Sequence, residues 1–209
     1  MRMIKFTHAC VRLEQDGRSL LLDPGTWAED AAFEGVSDVL VTHEHADHID
    51  AERLVKAYES NPELRVYLPA AAAGQLDGMA DGVTVVEVGD TFTAAGFSVH
   101  AVGGAHAEIY EGLPGCANIG YIVDDTVYHP GDSVFVPGSS VHTLLVPTAA
   151  PWLKLAEAID FVRAVRPARA FSIHDAMLSA RGEVGVDRWI AQAGDTDYGR
   201  VTPGDAVEI

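Results

Sequence analysis

Thr42-His43-Glu44-His45-Ala46-Asp47-His48-Ile49-Asp50 places four metal-ligand side chains within six positions and holds three of the nine histidines of the chain. The segment follows the short apolar run Asp38–Val41, whose lack of alternation predicts a strand buried on both faces. It precedes a helix for which Asp50 is the N-cap, with Ile49 and Leu54 at hydrophobic-staple spacing. In an extended chain, residues two apart face the same way with Cα atoms about 6.6 Å apart, so His43 and His45 converge on one ion at about 2.0–2.1 Å Zn–N distances. On a helix they would stand about 200° apart. A zinc-protease helix needs His at i and i+4 around a Glu, and the i, i+2 spacing here excludes it. Asp47 and His48 come where the chain turns and aim at a neighbouring point. A merely solvated polar loop would leave this spacing without a reason.

Three more residues stand just past predicted strands. His106 follows Phe97–Val102 through Gly103-Gly104, Asp132 follows Thr126–His129 through Pro130-Gly131, and His174 ends Phe171-Ser172-Ile173. Ligands in α/β folds gather at the carboxyl ends of strands, and glycine lets the backbone approach closely. Each of the three alone reads as a satisfied core histidine or a turn aspartate. Beside the first cluster they read as ligands.

Elsewhere the pattern alternates between strands and helices. Ile4–Phe6, Val11–Leu13 and Ser19–Leu22 read as strands, with a turn at Asp16-Gly17. The helix after Asp50 ends at Asn61-Pro62, Val66–Leu68 is a strand, Ala70–Gln75 a short helix, and positions 83–102 hold two or three strands. Gly120–Val123 and Thr126–Tyr128 form a hairpin around Asp124-Asp125, followed by a buried strand at Thr143–Val146. A helix over Trp152–Val165 presents Leu153, Ala156, Ile159 and Val162 on one side, and Ala170–Ile173 and Val184–Ala193 supply a last strand and helix. With 209 residues, 48% hydrophobic and 22% charged, and no Pro/Gly/Ser linker, residues 1–209 read as one α/β domain.

A net charge of −17 repels nucleic acid, whose binding needs Lys and Arg to displace counterions. No run approaches the ~18–20 apolar residues that span a bilayer, and polar residues at Thr7, His8 and Glu14 leave no room for a signal-peptide apolar region. Two cysteines, Cys10 and Cys116, exclude a disulfide scaffold and fit a reduced cytoplasm.

His43-Glu44-His45-Ala46-Asp47-His48, His106, the Asp132 of Gly131-Asp132-Ser133, and His174 together resemble the His-x-His-x-Asp-His motif and later ligands of the metallo-β-lactamase fold superfamily. Asp23, after Leu20-Leu21-Leu22, matches the Asp that precedes and supports that motif. Gly103-Gly104-Ala105-His106-Ala107 and His129-Pro130-Gly131-Asp132-Ser133 are similar to the compact branch of ascorbate-6-phosphate lactonase-like metal-dependent hydrolases. The resemblance implies a four-layer αβ/βα sandwich. It puts His43, His45 and His106 on one metal, Asp47, His48 and His174 on a second, and Asp132 between them. That branch commonly has Gly before the early His, where this chain has Thr7 before His8.

Such a site lowers the pKa of bound water toward ~7 and stabilises a developing oxyanion, which predicts hydrolysis of a small-molecule ester, lactone or phosphoester by a metal-bound hydroxide. Asp47 and Asp132 are the catalytic carboxylates, with Asp47 relaying the proton to the leaving group. His-rich donors with carboxylates suit two Zn(II) ions, and also Mn(II), Ni(II) or Fe. A di-iron site would make the protein an oxidoreductase or dioxygenase, and a metal-stabilised binding protein without turnover is a third class. The expected partner is a small molecule, with neither nucleic acid nor membrane; a homo-oligomer stays open. His129 is expected to hydrogen-bond Asp132. His8 reads equally as near the metals or as core, Trp152 as a core residue at a helix start, Tyr110 as a lid residue, and His100 and His142 as structural.

Overall fold

The computed structural model describes residues 1–209, the side chain of Ala80 excepted. Strands β1 (Arg2–Lys5), β2 (Val11–Gln15), β3 (Arg18–Leu22), β4 (Asp38–Leu40), β5 (Arg65–Leu68) and β6 (Val83–Val85) build the first sheet. Strands β7 (Thr91–Ala94), β8 (Phe97–Gly103), β9 (Ile119–Val123), β10 (Val127–His129), β11 (Thr143–Pro147), β12 (Arg169–Ile173) and β13 (Asp197–Gly199) build the second. The last strand, β14 (Ala206–Glu208), returns to the first sheet and pairs antiparallel with β1. Helices α1 (Ala51–Ser60) and α2 (Ala70–Ala73) belong to the first half of the chain, α3 (Leu155–Val165) and α4 (Ala180–Ala193) to the second.

Three apolar clusters separate four layers. Between the sheets, Leu13, Leu20, Leu22 and Leu40 meet Phe97, Val99, Tyr121, Leu145 and Phe171. On the outer face of the first sheet, Leu21, Val39 and Val66 pack against Leu54 of α1. On the outer face of the second, Ile122, Leu144 and Val146 pack against Ala158, Phe161 and Val162 of α3 and Ile190 of α4. This is the αβ/βα sandwich of the metallo-β-lactamase fold. The continuous apolar runs at β4 and β11 follow from burial on both faces.

Strand direction sets where the loops emerge. β1 and β3 both run antiparallel to β2, and β3 runs parallel to β4, so β1, β3 and β4 all point the same way. In the second sheet β8 and β10 flank β9 antiparallel, and β10, β11 and β12 are parallel. The loops after these strands carry His8, Asp23, His43–His48, His106, Asp132 and His174. Two backbone hydrogen bonds join the loop ends of the two sheets: Ile119 N–H to the Thr42 carbonyl at 2.8 Å, and His174 N–H to the His8 carbonyl at 3.2 Å.

The turns and caps follow local chemistry. Asp16-Gly17 and Asp124-Asp125 both have positive φ at their two central positions (52° and 78°, 48° and 50°), the tight-hairpin geometry that Asp and Gly favour. The Asp50 carboxylate accepts the Arg53 N–H at 3.0 Å and caps α1, and Ile49 and Leu54 share one cluster.

Several boundaries differ from expectation. α3 begins at Leu155 because Lys154 is extended and its N–H donates to the Glu157 carboxylate at 2.8 Å. Its buried face is therefore Ala158, Phe161, Val162 and Val165, and Ala156 is exposed. α4 starts at Ala180, earlier than the apolar periodicity indicates, because the Ser179 hydroxyl caps it by accepting the Gly182 N–H at 3.2 Å. The short strands β13 and β14 lack an apolar run and form through edge pairing.

The loop after β3 leaves no room at Gly25: a Cβ there would lie 2.0 Å from the Asp47 carbonyl oxygen. Gly25→Ala is expected to cost on the order of 3 kcal/mol in denaturant unfolding. Gly138→Ala, whose Cβ meets nothing within 4 Å, should stay within about 0.5 kcal/mol.

Candidate metal centre

Asp132 lies where the two sheets' loops meet and is 2% exposed. Its Oδ1 is 2.9 Å from His48 Nε2, and its Oδ2 is 3.1 Å from His174 Nε2 and 3.2 Å from His106 Nε2. Around it the ligand-type atoms form two groups, His43, His45, His106 and Asp132 in one and His8, Asp47, His48 and His174 in the other, each within 4.8 Å of one another. All seven residues singled out in the sequence are brought together.

The imidazoles are oriented from behind. His48 Nδ1 sits 2.6 Å from Asp23 Oδ2, His106 Nδ1 2.6 Å from the Ala107 carbonyl, and His174 Nδ1 2.6 Å from the Ala149 carbonyl. Each acceptor fixes the proton on Nδ1 and turns the Nε2 lone pair inward. His43 Nδ1 contacts the Thr42 hydroxyl at 3.0 Å, and its Nε2 lies 3.1 Å from His45 Nδ1. Beyond the end of β4 the chain bends, with His48 N–H donating to the His45 carbonyl at 2.9 Å. His43 and His45 therefore lie beyond the strand, where the chain bends at Glu44 and His45, and the turn that follows carries Asp47 and His48.

Four buried side-chain polar atoms lack a hydrogen-bond partner among the described residues, and three belong to this site: His48 Nε2, Asp132 Oδ1 and His174 Nε2. Close approach without hydrogen-bond geometry is the arrangement of donors aimed at a shared cation. Leaving such atoms bare costs on the order of 1–3 kcal/mol each, so the residues fit a pair of metal ions. Burial opposes the charge on Asp132, but His48, His106 and His174 hold its carboxyl well below the usual range. Burial likewise opposes ionisation of Asp47, yet His8, His48 and His174 bring it down to about 2. Burial lowers His43 well below its ordinary value. His48 is driven the other way: against its burial, Asp132 and Asp23 raise it well above 6.5.

Sequence reasoning underrated five residues here. His8 is buried, with φ 67°; its Nδ1 accepts the Ala176 N–H at 3.4 Å, which leaves the proton on Nε2, 3.2 Å from Asp47 Oδ2. Trp152 lies ahead of α3, and its indole N–H donates to Asp132 Oδ2 at 3.1 Å. Asn118 accepts the Asp132 N–H at 2.9 Å and donates to the Pro130 carbonyl at 2.8 Å. Gly131, at φ 61°, packs so closely that a Cβ would fall 2.3 Å from Asn118 Oδ1. The buried Lys5 donates to the His8 carbonyl at 2.6 Å and approaches Asp175 at 3.4 Å, tying the first loop to the one after His174. A lone Asn, Trp or Lys carries no spacing signal; for His8, the strand end before it was the available clue.

Other expectations are corrected. His129 does not touch Asp132: its Nε2 donates to the Ala9 carbonyl at 2.9 Å and its Nδ1 accepts the Gly131 N–H at 3.1 Å. It holds the turn and not the carboxylate. Asp23 accepts from Thr42 N–H at 2.8 Å and Thr42 hydroxyl at 2.7 Å as well as from His48, the supporting role expected of it. Cys10 and Cys116 are both free thiols. Burial pushes Cys116 up to about 11, so at neutral pH it is no nucleophile. His142 is exposed and His100 lies within β8.

The family pattern described as Beta-lactamase superfamily domain matches residues 2–174. The chain belongs to this family. Protein Rv0786c of Mycobacterium tuberculosis is 43% identical over 192 residues, covering 87% of this chain and 88% of that one. UPF0173 protein PYRAB01190 of Pyrococcus abyssi is 29% identical, covering 83% of each. In fold, the chain is similar to Igni18, a metallo hydrolase from Ignicoccus hospitalis, at a TM-score of 0.77 and 18% identity, over 99% of this chain and 97% of that one. The two His/Asp clusters constitute the metal-binding, hydrolase-like site of this superfamily member.

Two outcomes are expected. In the metal-free protein His48 is protonated at pH 7, and a ligand imidazole must be neutral. Cation binding therefore releases a proton, and affinity climbs with pH until His48 deprotonates in the metal-free protein. The raised His48 contributes stability to the metal-free fold that is complete below pH 6.5 and lost as pH rises through the folded value. Calorimetry at pH 7 in two buffers of different ionisation enthalpy reads the released proton directly; no release contradicts the assignment. Trp152→Phe keeps an aromatic ring and removes the indole donor, and should lower metal affinity about tenfold, beyond the modest loss of stability expected from the smaller buried side chain.

Proposed function

We propose that the protein is a metal-dependent hydrolase that uses a dinuclear site to cleave an ester, lactone or phosphoester of a small molecule. The observation that carries this reading is the set of buried, unpartnered His48 Nε2, Asp132 Oδ1 and His174 Nε2 beside the His43/His45/His106 group. In the proposed ligand set, His43, His45 and His106 would hold one ion and Asp47, His48 and His174 the other, with Asp132 available to both groups. His8 acts as an Nε2–H donor that fixes Asp47, not as a ligand. Divalent ions bound there supply activated water at neutral pH and polarise the substrate oxygen.

The chain's own groups supply the rest. Asp47 is 25% exposed whereas Asp132 is 3% exposed at the side chain, so Asp47 is the carboxylate that reaches substrate and passes the proton to the leaving group. Asp132, ionised and fixed by Trp152, His106 and the Asn118 clamp, maintains negative charge between the ligand groups and positions them. The imidazole-rich donor set favours Zn(II), with Mn(II), Ni(II) or Fe as substitutes.

Within the superfamily we assign the chain to the compact ascorbate-6-phosphate lactonase-like branch on its Gly103–Ala107 and His129–Ser133 motifs. The free thiols of Cys10 and Cys116 support a cytoplasmic setting. No helix among the described residues is long and apolar enough to cross a membrane, and the charge of −17 disfavours nucleic acid as a partner.

Chelator-stripped protein should lose hydrolysis of a lactone, phosphodiester or thioester panel and regain it with zinc or manganese at two ions per chain, counted by elemental analysis. Full activity without metal would refute the proposal. Coloured protein holding two irons and turning over oxygen would transfer it to the oxidative class.

A further inference from the structure

A cavity of about 260 Å³ adjoins the first ligand group, lined by His45 and His106 and by Ile109, Leu113, Pro114 and Cys116. Its volume falls below the ~300–1,000 Å³ of drug-sized sites, so it admits a small group. Ile109 and Leu113 are 46% and 56% exposed although apolar. Apolar side chains gathered around a concavity beside ligand-type histidines mark a place where something apolar is covered. Glu108 is the one acidic side chain lining the cavity, and the lining contains neither Lys nor Arg. A carboxylate or phosphate at the remote end of a substrate would shed water against Ile109, Leu113 and Pro114, meet Glu108 and find no Lys or Arg side chain.

Resting on the hydrolase reading, we infer that the part of the substrate away from the reacting bond is a short, uncharged apolar group, and that this cavity selects it. The loop from Glu108 to Cys116 is the specificity element, with Glu108 rejecting negative charge. Substrates with a remote phosphate are excluded by the same side chains, so the motifs shared with the lactonase-like branch carry over the ligand scaffold and not its phosphorylated substrate. Whatever charge the reacting group carries is the concern of the ligand clusters, and the selection applies to the remote portion alone. Tyr110, 72% exposed and outside the cavity lining, is not part of this selection.

The test uses binding, independent of turnover. Zinc-loaded protein is titrated calorimetrically with hexanohydroxamic acid and with adipic monohydroxamic acid, which share the metal-seeking head and differ by a terminal carboxylate. The uncharged tail should bind at least tenfold more tightly, and Glu108→Lys should shrink that ratio threefold or more. Equal or tighter binding of the carboxylate tail overturns the inference, as does failure of the loaded protein to bind either compound. p-Nitrophenyl hexanoate is assayed in parallel. Tail preference without any hydrolysis would leave the cavity assignment standing and sink the hydrolase reading, whereas hydrolysis without tail preference would do the reverse.

Discussion

A carboxylate sealed among three imidazole nitrogens is the constraint on which the rest of the structure depends. Asp132 is nearly inaccessible to water, and His48, His106 and His174 all bring Nε2 within 2.9–3.2 Å of it. With Nδ1 of each ring committed to Asp23, Ala107 or Ala149, those nitrogens present lone pairs and not protons to the carboxylate in their neutral form. Lone pairs facing a carboxylate in a buried pocket repel. Either protons or cations must fill the gap, and proton-filling accounts for the raised His48 and depressed Asp132. Cations satisfy all the donors at once, which gives the arrangement a physical reason.

The fold exists to deliver those groups to one place. Two sheets with matching strand directions send the loops after β1, β3, β4, β8, β10 and β12 to a common edge. Close backbone approach then does the fine placement. Gly25 lets the β3 loop lie on Asp47, Gly131 lets the β10 turn lie on Asn118 and Thr42, and neither position has room for a side chain. Lys5 ties the His8 loop to the chain after His174 through two carbonyls and Asp175. The apolar interior between the sheets fixes their separation, and through it the distance between the two ligand groups.

Much of this was legible in the sequence, for identifiable reasons. Apolar runs and turn residues marked the central strands, since burial on both faces and positive φ each demand particular residue types. The His-x-His-x-Asp-His spacing singled out the first side chains that the structure brings together, because a metal site gives that spacing a specific reason. His106, Asp132 and His174 followed from their positions after strands. What could not be read were contacts set by tertiary packing alone: the indole of Trp152 on Asp132, the Asn118 clamp, the turning of His129 away toward Ala9. The edge strands β13 and β14 carry no local pattern because pairing, not burial, makes them. The start of α3 shifted because Glu157 captures the Lys154 N–H, a cap without a standard capping side chain at its first position.

Anomalous diffraction from crystals grown with zinc or manganese tests the central claim most directly. The account predicts two peaks about 3.5–4 Å apart, one against His43, His45 and His106, the other against Asp47, His48 and His174, with Asp132 touching both and His8 touching neither. Peaks elsewhere on the surface, or clear density for the protein with the seven side chains ion-free at millimolar metal, would contradict it.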